Sequence, residues 1–242
     1  MPLSISLRSI GSSPTIFGGV AAVAAYALCA TTPALAQTPR EILTTAAFRT
    51  STKPQALALI GQALAASDRT LAARPGDREA ALQRAVAIGY RAKLTRSRSD
   101  AKASLDAFQR LAAQSPRDPE AQMVIAGWHL DAIEDLGGFV ARTALGAKAQ
   151  TGEAALDRAV ALGGSRAFFP GLAAMMRIRK DEKDVARART LAEAAASADT
   201  PTPLDALMKR SATALLPALR AGDGKGAAAM ARKLLPFGKI AD

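Results

Sequence analysis

Proline and glycine interrupt this chain at short, repeated intervals. The breaks fall at ARPGD (Ala73 to Asp77), QSPRDP (Gln114 to Pro119), DLGG (Asp135 to Gly138), LGGS (Leu162 to Ser165), ADTPTP (Ala198 to Pro203) and AGDGKG (Ala221 to Gly226). Proline removes a backbone donor and glycine costs conformational entropy, so a helix ends at each break, and Asp77 or Asp118 stands where it can cap the next. Between the breaks, apolar residues return every three or four positions. Ala101, Leu105, Phe108 and Ala112 make one stripe, with Lys102, Asp106, Gln109 and Arg110 turned away from it; Ala121, Ile125, Trp128, Ala132 and Leu136 make another. The spacing predicts about ten short helices. Hydrophobic residues are 49% of the chain but mostly alanine and leucine, with 4% aromatic, a mixture suited to closely packed helices. Strand-forming runs of Val, Ile, Tyr and Thr are absent, and the predicted class is all-α.

Residues 1–36 read differently. Arg8 is their only charged side chain, an apolar run follows from Ile16 to Ala30, and TTPALA ends at Ala36. Ala34 and Ala36 give the A-x-A pattern that signal peptidase accepts, so a Sec-type signal cleaved after Ala36 is expected, with a periplasmic destination. An uncleaved anchor is the alternative. Lipoprotein processing at Cys29 is set aside because Leu28 and Tyr26 occupy the positions that would need a small residue and a leucine. Cleavage would remove the only cysteine and leave 206 residues, enough to bury a core without disulfides. The expected organisation is a signal peptide (1–36), an N-terminal extension or short first helix (37–52), and a helical domain (53–242).

The string EAALQRAVAIG (Glu79 to Gly89) returns 74 positions later as EAALDRAVALG (Glu153 to Gly163), identical at nine of eleven positions. The two copies fall in non-equivalent helices of the pattern, so the echo reflects alanine-rich composition. A better test of repetition is where the second helix of each presumed pair ends: near Pro75, Pro116, Gly164, Pro201 and Pro236, at intervals of 41, 48, 37 and 35. Ser104, Phe108, Leu111 and Pro116 then place a small residue, a bulky one four later, another seven later and a proline twelve later. In Ala221 to Pro236, Gly222 and Asp223 sit at a turn, with Ala227 and Leu234 facing inward. Ala63 and Pro75 have the same separation, with Ser67 at the bulky position. These stretches resemble tetratricopeptide (TPR) repeats, whose helix pairs recur about every 34 residues. The resemblance covers about two thirds of the chain beyond Ala36. It implies a right-handed superhelical stack of antiparallel helix pairs, an α-solenoid that binds partners on an extended surface; an irregular helical bundle is the alternative.

The two longest intervals carry extra segments, Tyr90 to Asp100 and Asp135 to Ala149. Equivalent connections in stacked repeats emerge on one edge, so both should decorate a shared rim. Arg91, Lys93, Arg96, Arg98 and Lys102 stand there against a single Asp100, and Arg142 and Lys148 join from the second segment. Arginine forks match phosphate and carboxylate groups, so the cluster could hold an anion or an acidic partner; the plainer reading is a solvated basic connection. Trp128 and His129 form a possible groove near Gly137 and Gly138, or simply the core side of their helix. Phe168, Phe169, Met175 and Met176 supply bulk that the alanines lack, and RIRKDEKD (Arg177 to Asp184) reads as a hydrated turn.

The formal net charge of +11 would fall to +10 without Arg8. Such charge favours anionic partners, which outside the cytosol are lipids, wall polymers and acidic proteins; nucleic acid is set aside on that ground. With one histidine there is no H-E-x-x-H helix, and neither a G-x-S-x-G elbow nor a phosphate-cradling loop occurs. No metal site, cofactor or catalytic residue is expected. The expected function is a non-enzymatic periplasmic scaffold that binds an envelope protein or peptide in a helical groove; the alternative is a binder of anionic polymer or lipid through the basic rim.

Overall fold

The computed structural model of the protein describes residues 37–240, so the expected signal segment and its cleavage position lie outside the described residues. Helices α1 (Pro39–Phe48), α2 (Lys53–Ala73), α3 (Arg78–Thr95), α4 (Arg98–Gln114) and α5 (Pro119–Leu136) follow one another. After α5 comes a single short turn, α6 (Gly138–Val140), running into a π-helical turn at Ala141–Leu145. Then come α7 (Ala149–Leu162), α8 (Phe168–Lys180), α9 (Val185–Ser197), α10 (Pro203–Arg220) and α11 (Gly224–Leu234). Among the described residues there is no strand, only an isolated bridge between Arg166 and Asp199. None of these helices is long and apolar enough to cross a membrane.

The local signals explain the helix boundaries. Asp77 accepts the Ala80 N–H at 2.9 Å to start α3, and Asp118 accepts the Glu120 N–H at 2.7 Å to start α5, with Pro119 in the first turn. Helices α2, α4, α7, α9 and α11 close just before Pro75, Pro116, Gly164, Pro201 and Pro236. Two segments depart from expectation. Tyr90 to Asp100 is mostly helix: Ala92 is buried and Leu94 packs on the core beside α1 and α2, so α3 continues to Thr95. Arg96, left-handed at φ 60°, makes the turn, and the Ser97 hydroxyl caps α4 by accepting the Asp100 N–H at 3.2 Å. The stretch RIRKDEKD is likewise helical to Lys180, with Arg177 and Arg179 buried; only its last four residues turn.

Each long helix packs on its neighbour in sequence, with α5 pairing to α7 across the insertion. In addition α1 touches α3, α3 touches α5, α5 touches α8 and α8 touches α10. These five form a continuous series, and α2, α4, α7, α9 and α11 pack beside it. The largest apolar core lies among α5 and α7 to α11, around Phe169, Met175, Ile178, Met208 and Leu215, none of them exposed. A second core joins α1, α2 and α3 around Leu43 and Ile60, and it takes in Phe237 from beyond α11. The Phe237 N–H donates to the Ala47 carbonyl at 2.7 Å, and its ring meets Tyr90 edge-on with centroids 5.0 Å apart. The end of the described chain is therefore fastened to its first helix.

Candidate functional site

The acidic residues that favour helix N-termini put Glu79, Glu120 and Asp205 in the first turns of α3, α5 and α10. Two arginines stitch them together. Arg40, in the first turn of α1, donates to Glu79 (2.7 and 2.6 Å) and to Glu120 (2.6 Å). Arg166, just before α8, donates to Glu120 at 2.8 Å and to Asp205 at 3.3 Å. The chain Glu79, Arg40, Glu120, Arg166, Asp205 thus draws the starts of α1, α3, α5, α8 and α10 to one end of the molecule. The opposite ends of α3, α5 and α8 meet through a second cluster. Lys93 of α3 pairs with Asp135 at 2.6 Å and Asp131 at 3.5 Å, both on α5, and Asp131 also accepts from Arg179 of α8 at 2.6 Å. Burial alone would raise the Asp131 carboxyl, but Lys93 and Arg179 outweigh it and hold the group below the usual carboxylate range.

Between the two ionic clusters lies a groove of about 410 Å³. Leu43 and Phe48 of α1, Val86 and Tyr90 of α3, Trp128 and Leu136 of α5, and Phe168 and Leu172 of α8 contribute to its walls. Leu235 and Pro236 add a wall from the C-terminal segment, and Val140, Ala144 and Leu145 add one from the insertion after α5. The volume falls in the range of small-molecule sites. Gly127, in the interior of α5, belongs to the wall, and a Cβ there would meet nothing within 4 Å. A glycine inside a helix costs about 1 kcal/mol against alanine, and no close contact requires this one; what its missing side chain leaves is room in the groove.

The expected basic rim separates into two classes. Arg91 makes a two-pronged bond to Asp100 (2.7 and 2.9 Å), tying the end of α3 to the start of α4, and Lys93 is drawn into the ionic cluster above. Both make ion pairs within the fold, the Arg91 side chain remaining 42% exposed; Asp131 and Asp135 reach Lys93 from another helix, which the sequence does not disclose. Arg96, Arg98, Lys102, Arg142 and Lys148 make no ion pair among the described residues, and of these Arg96 and Arg98 line the groove. The π-helical turn carrying Arg142 packs on α4, next to them. Its neighbour Phe139 is 80% exposed and Val140 is 47% exposed, an apolar pair at that mouth with no signal in the sequence pattern.

The expected groove pair also divides. Trp128 lines the groove, its indole N–H donating to the Ala101 carbonyl at 2.9 Å. His129 is buried away from it, where Nδ1 accepts the Lys148 backbone N–H at 3.3 Å. Phe169 and Met175 are core, whereas Phe168 and Met176 reach both core and groove. Among the described residues no group of histidine, cysteine and acidic side chains is arranged to hold a metal ion. Comparison with protein-family models, with curated proteins and with solved structures finds no match for this chain.

Proposed function

We propose that this protein is a non-enzymatic binding module of the cell envelope: a TPR-like stack of five helix pairs, α1 with α2, α3 with α4, α5 with α7, α8 with α9 and α10 with α11. The inner helices hold the apolar part of a ligand in the groove between them. The observation that carries this reading is the groove itself, a sizeable apolar space whose charged wall residues are mostly satisfied by one another. Catalysis needs an acid or base free to change its protonation. Here Lys93 and Arg179 hold Asp131 below the usual carboxylate range. An export signal in residues 1–36 places the module outside the cytosol in this reading, and the net positive charge suits the anionic surfaces found there.

Trp128 is the only tryptophan of the chain and sits in the groove wall, so it reports directly on occupancy. The neutral apolar dye N-phenylnaphthylamine should bind with quenching of Trp128 by energy transfer, and high salt should leave the affinity unchanged because apolar contacts are not screened. Gly127→Leu should fill the groove and lower dye affinity at least about tenfold while preserving helical circular dichroism, since the new side chain grows into open space. Undiminished dye binding by Gly127→Leu, or no binding by the unaltered protein, would end the groove reading.

A further inference from the structure

The groove wall contains seven charged side chains: Arg40, Lys93, Arg96, Arg98, Glu120, Asp131 and Asp135. Five of them are ion-paired inside the protein. The remaining two, Arg96 and Arg98, flank Ser97 in sequence, are exposed and of one sign, and are placed at the end of the groove formed by the insertion. Two like cations with no carboxylate partner leave a net positive potential at that end, and arginine offers an anion a forked donor. The rest of the groove is mostly apolar. Buried side-chain atoms lacking a hydrogen-bond partner among the described residues are Ser67 Oγ and Arg179 Nε, and neither residue belongs to the groove wall.

From this asymmetry we infer that the groove takes an anionic amphiphile, a hydrocarbon chain lying along the apolar wall with its carboxylate or phosphate head at Arg96 and Arg98. An extended peptide would bring a backbone N–H and C=O at every residue to a wall whose neutral polar side chains are few, Gln83 and Tyr90 among them, and each group left unpaired would oppose binding. A hydrocarbon chain brings none. Val140 belongs to the groove wall and is half exposed, and its sequence neighbour Phe139 is exposed, so the insertion offers an apolar step by which a chain could pass from a micelle or bilayer into the groove. Arg96 is also held in the left-handed region at φ 60°, where glycine would sit without strain, yet the position carries a guanidinium.

This assignment rests on the groove reading, and the dye experiment tests that reading separately. Dodecanoate and dodecanol, each added below its aggregation limit and followed by Trp128 emission, share a chain and differ in head charge. Dodecanoate should bind about tenfold or more tightly than dodecanol, and the double variant Arg96→Gln, Arg98→Gln should bring the two together without altering dye affinity. Equal affinities for the two in the unaltered protein, or dodecanoate affinity untouched in the double variant, would overturn the head assignment while leaving the groove intact. If both fail to bind but an amphipathic helical peptide displaces the dye, the ligand class is peptide and the inference falls. Delivery from a bilayer is read in a separate arm: transfer of a fluorescent acyl chain from anionic vesicles should be slowed several-fold by Phe139→Ser, whereas affinity for free dodecanoate should not change. Equal transfer rates would remove the membrane as the source.

Discussion

Asp205 has no exposed surface, yet its carboxylate accepts from the Thr202 hydroxyl at 2.6 Å, the Phe168 N–H at 3.1 Å and Arg166. A buried charge is tolerated only when so surrounded. His129 meets a similar demand in the opposite sense. Burial, and then the Lys148 charge, push its imidazole below the ordinary histidine value, and Nδ1 must stay unprotonated to accept the Lys148 N–H. The unfolded chain takes up that proton near pH 6.5 while the folded one resists. The resulting stability is therefore present above about pH 6.5 and is lost as pH falls through the lowered folded value. Thermal unfolding between pH 8 and pH 5 should show a declining midpoint, with a shallower decline in His129→Gln; identical slopes would assign the loss to other groups. Such roles were only partly legible beforehand. Arg91 and Lys93 look the same in sequence as Arg96 and Arg98, and only the approach of Asp100 from the next helix, and of Asp131 and Asp135 from the one after, separates paired cations from available ones.

Among the elements, the insertion between α5 and α7 has the most consequence, because it closes one end of the groove. It begins at Gly137, where φ 77° and ψ 149° define a backbone region closed to residues with a side chain. Gly137→Ala should cost about 1–3 kcal/mol in denaturant unfolding and weaken dodecanoate binding by displacing Val140 and Leu145. Unchanged affinity despite lost stability would mean that the insertion does not shape the site. Helix ends were readable because proline, glycine and capping aspartates act locally, as at Asp77 and Asp118. The role of each helix face was not. Trp128, Ala132 and Leu136 repeat with helical spacing, as core residues do, and they line a groove; Ala126 and Leu130 of the same helix fill the core, and Met123 reaches both. Periodicity identifies an apolar face, whereas the neighbours that fill or leave it empty come from distant parts of the chain. Tyr90 to Asp100 failed as a predicted connection for the same reason, since α3 is prolonged by packing of Leu94 against α1 and α2.

At the scale of the whole molecule, one ionic cluster joins the starts of the five serial helices and a second joins the far ends of α3, α5 and α8, and the segment after α11 returns to α1. Phe237 is buried in the α1 and α2 core although it follows α11, and it holds φ 64° to get there. Phe237→Ala should destabilise the protein by about 3 kcal/mol. Amide exchange should accelerate more in α1 and α2 than in α8 to α10, because the lost ring belonged to the former core. Uniform acceleration would indicate a single cooperative unit with no special dependence of α1 on the far end. Nothing in the sequence marks this return: Pro236 reads as a helix stop, and the partner for the Phe237 backbone is Ala47, far upstream. Translation adds a temporal side to that distance. The ribosome makes Ala47 long before Phe237, so the first-made part of the domain stays unfinished until the segment after α11 arrives, and a chain stalled before Phe237 would leave the Tyr90 ring and the Ala47 carbonyl without their partner.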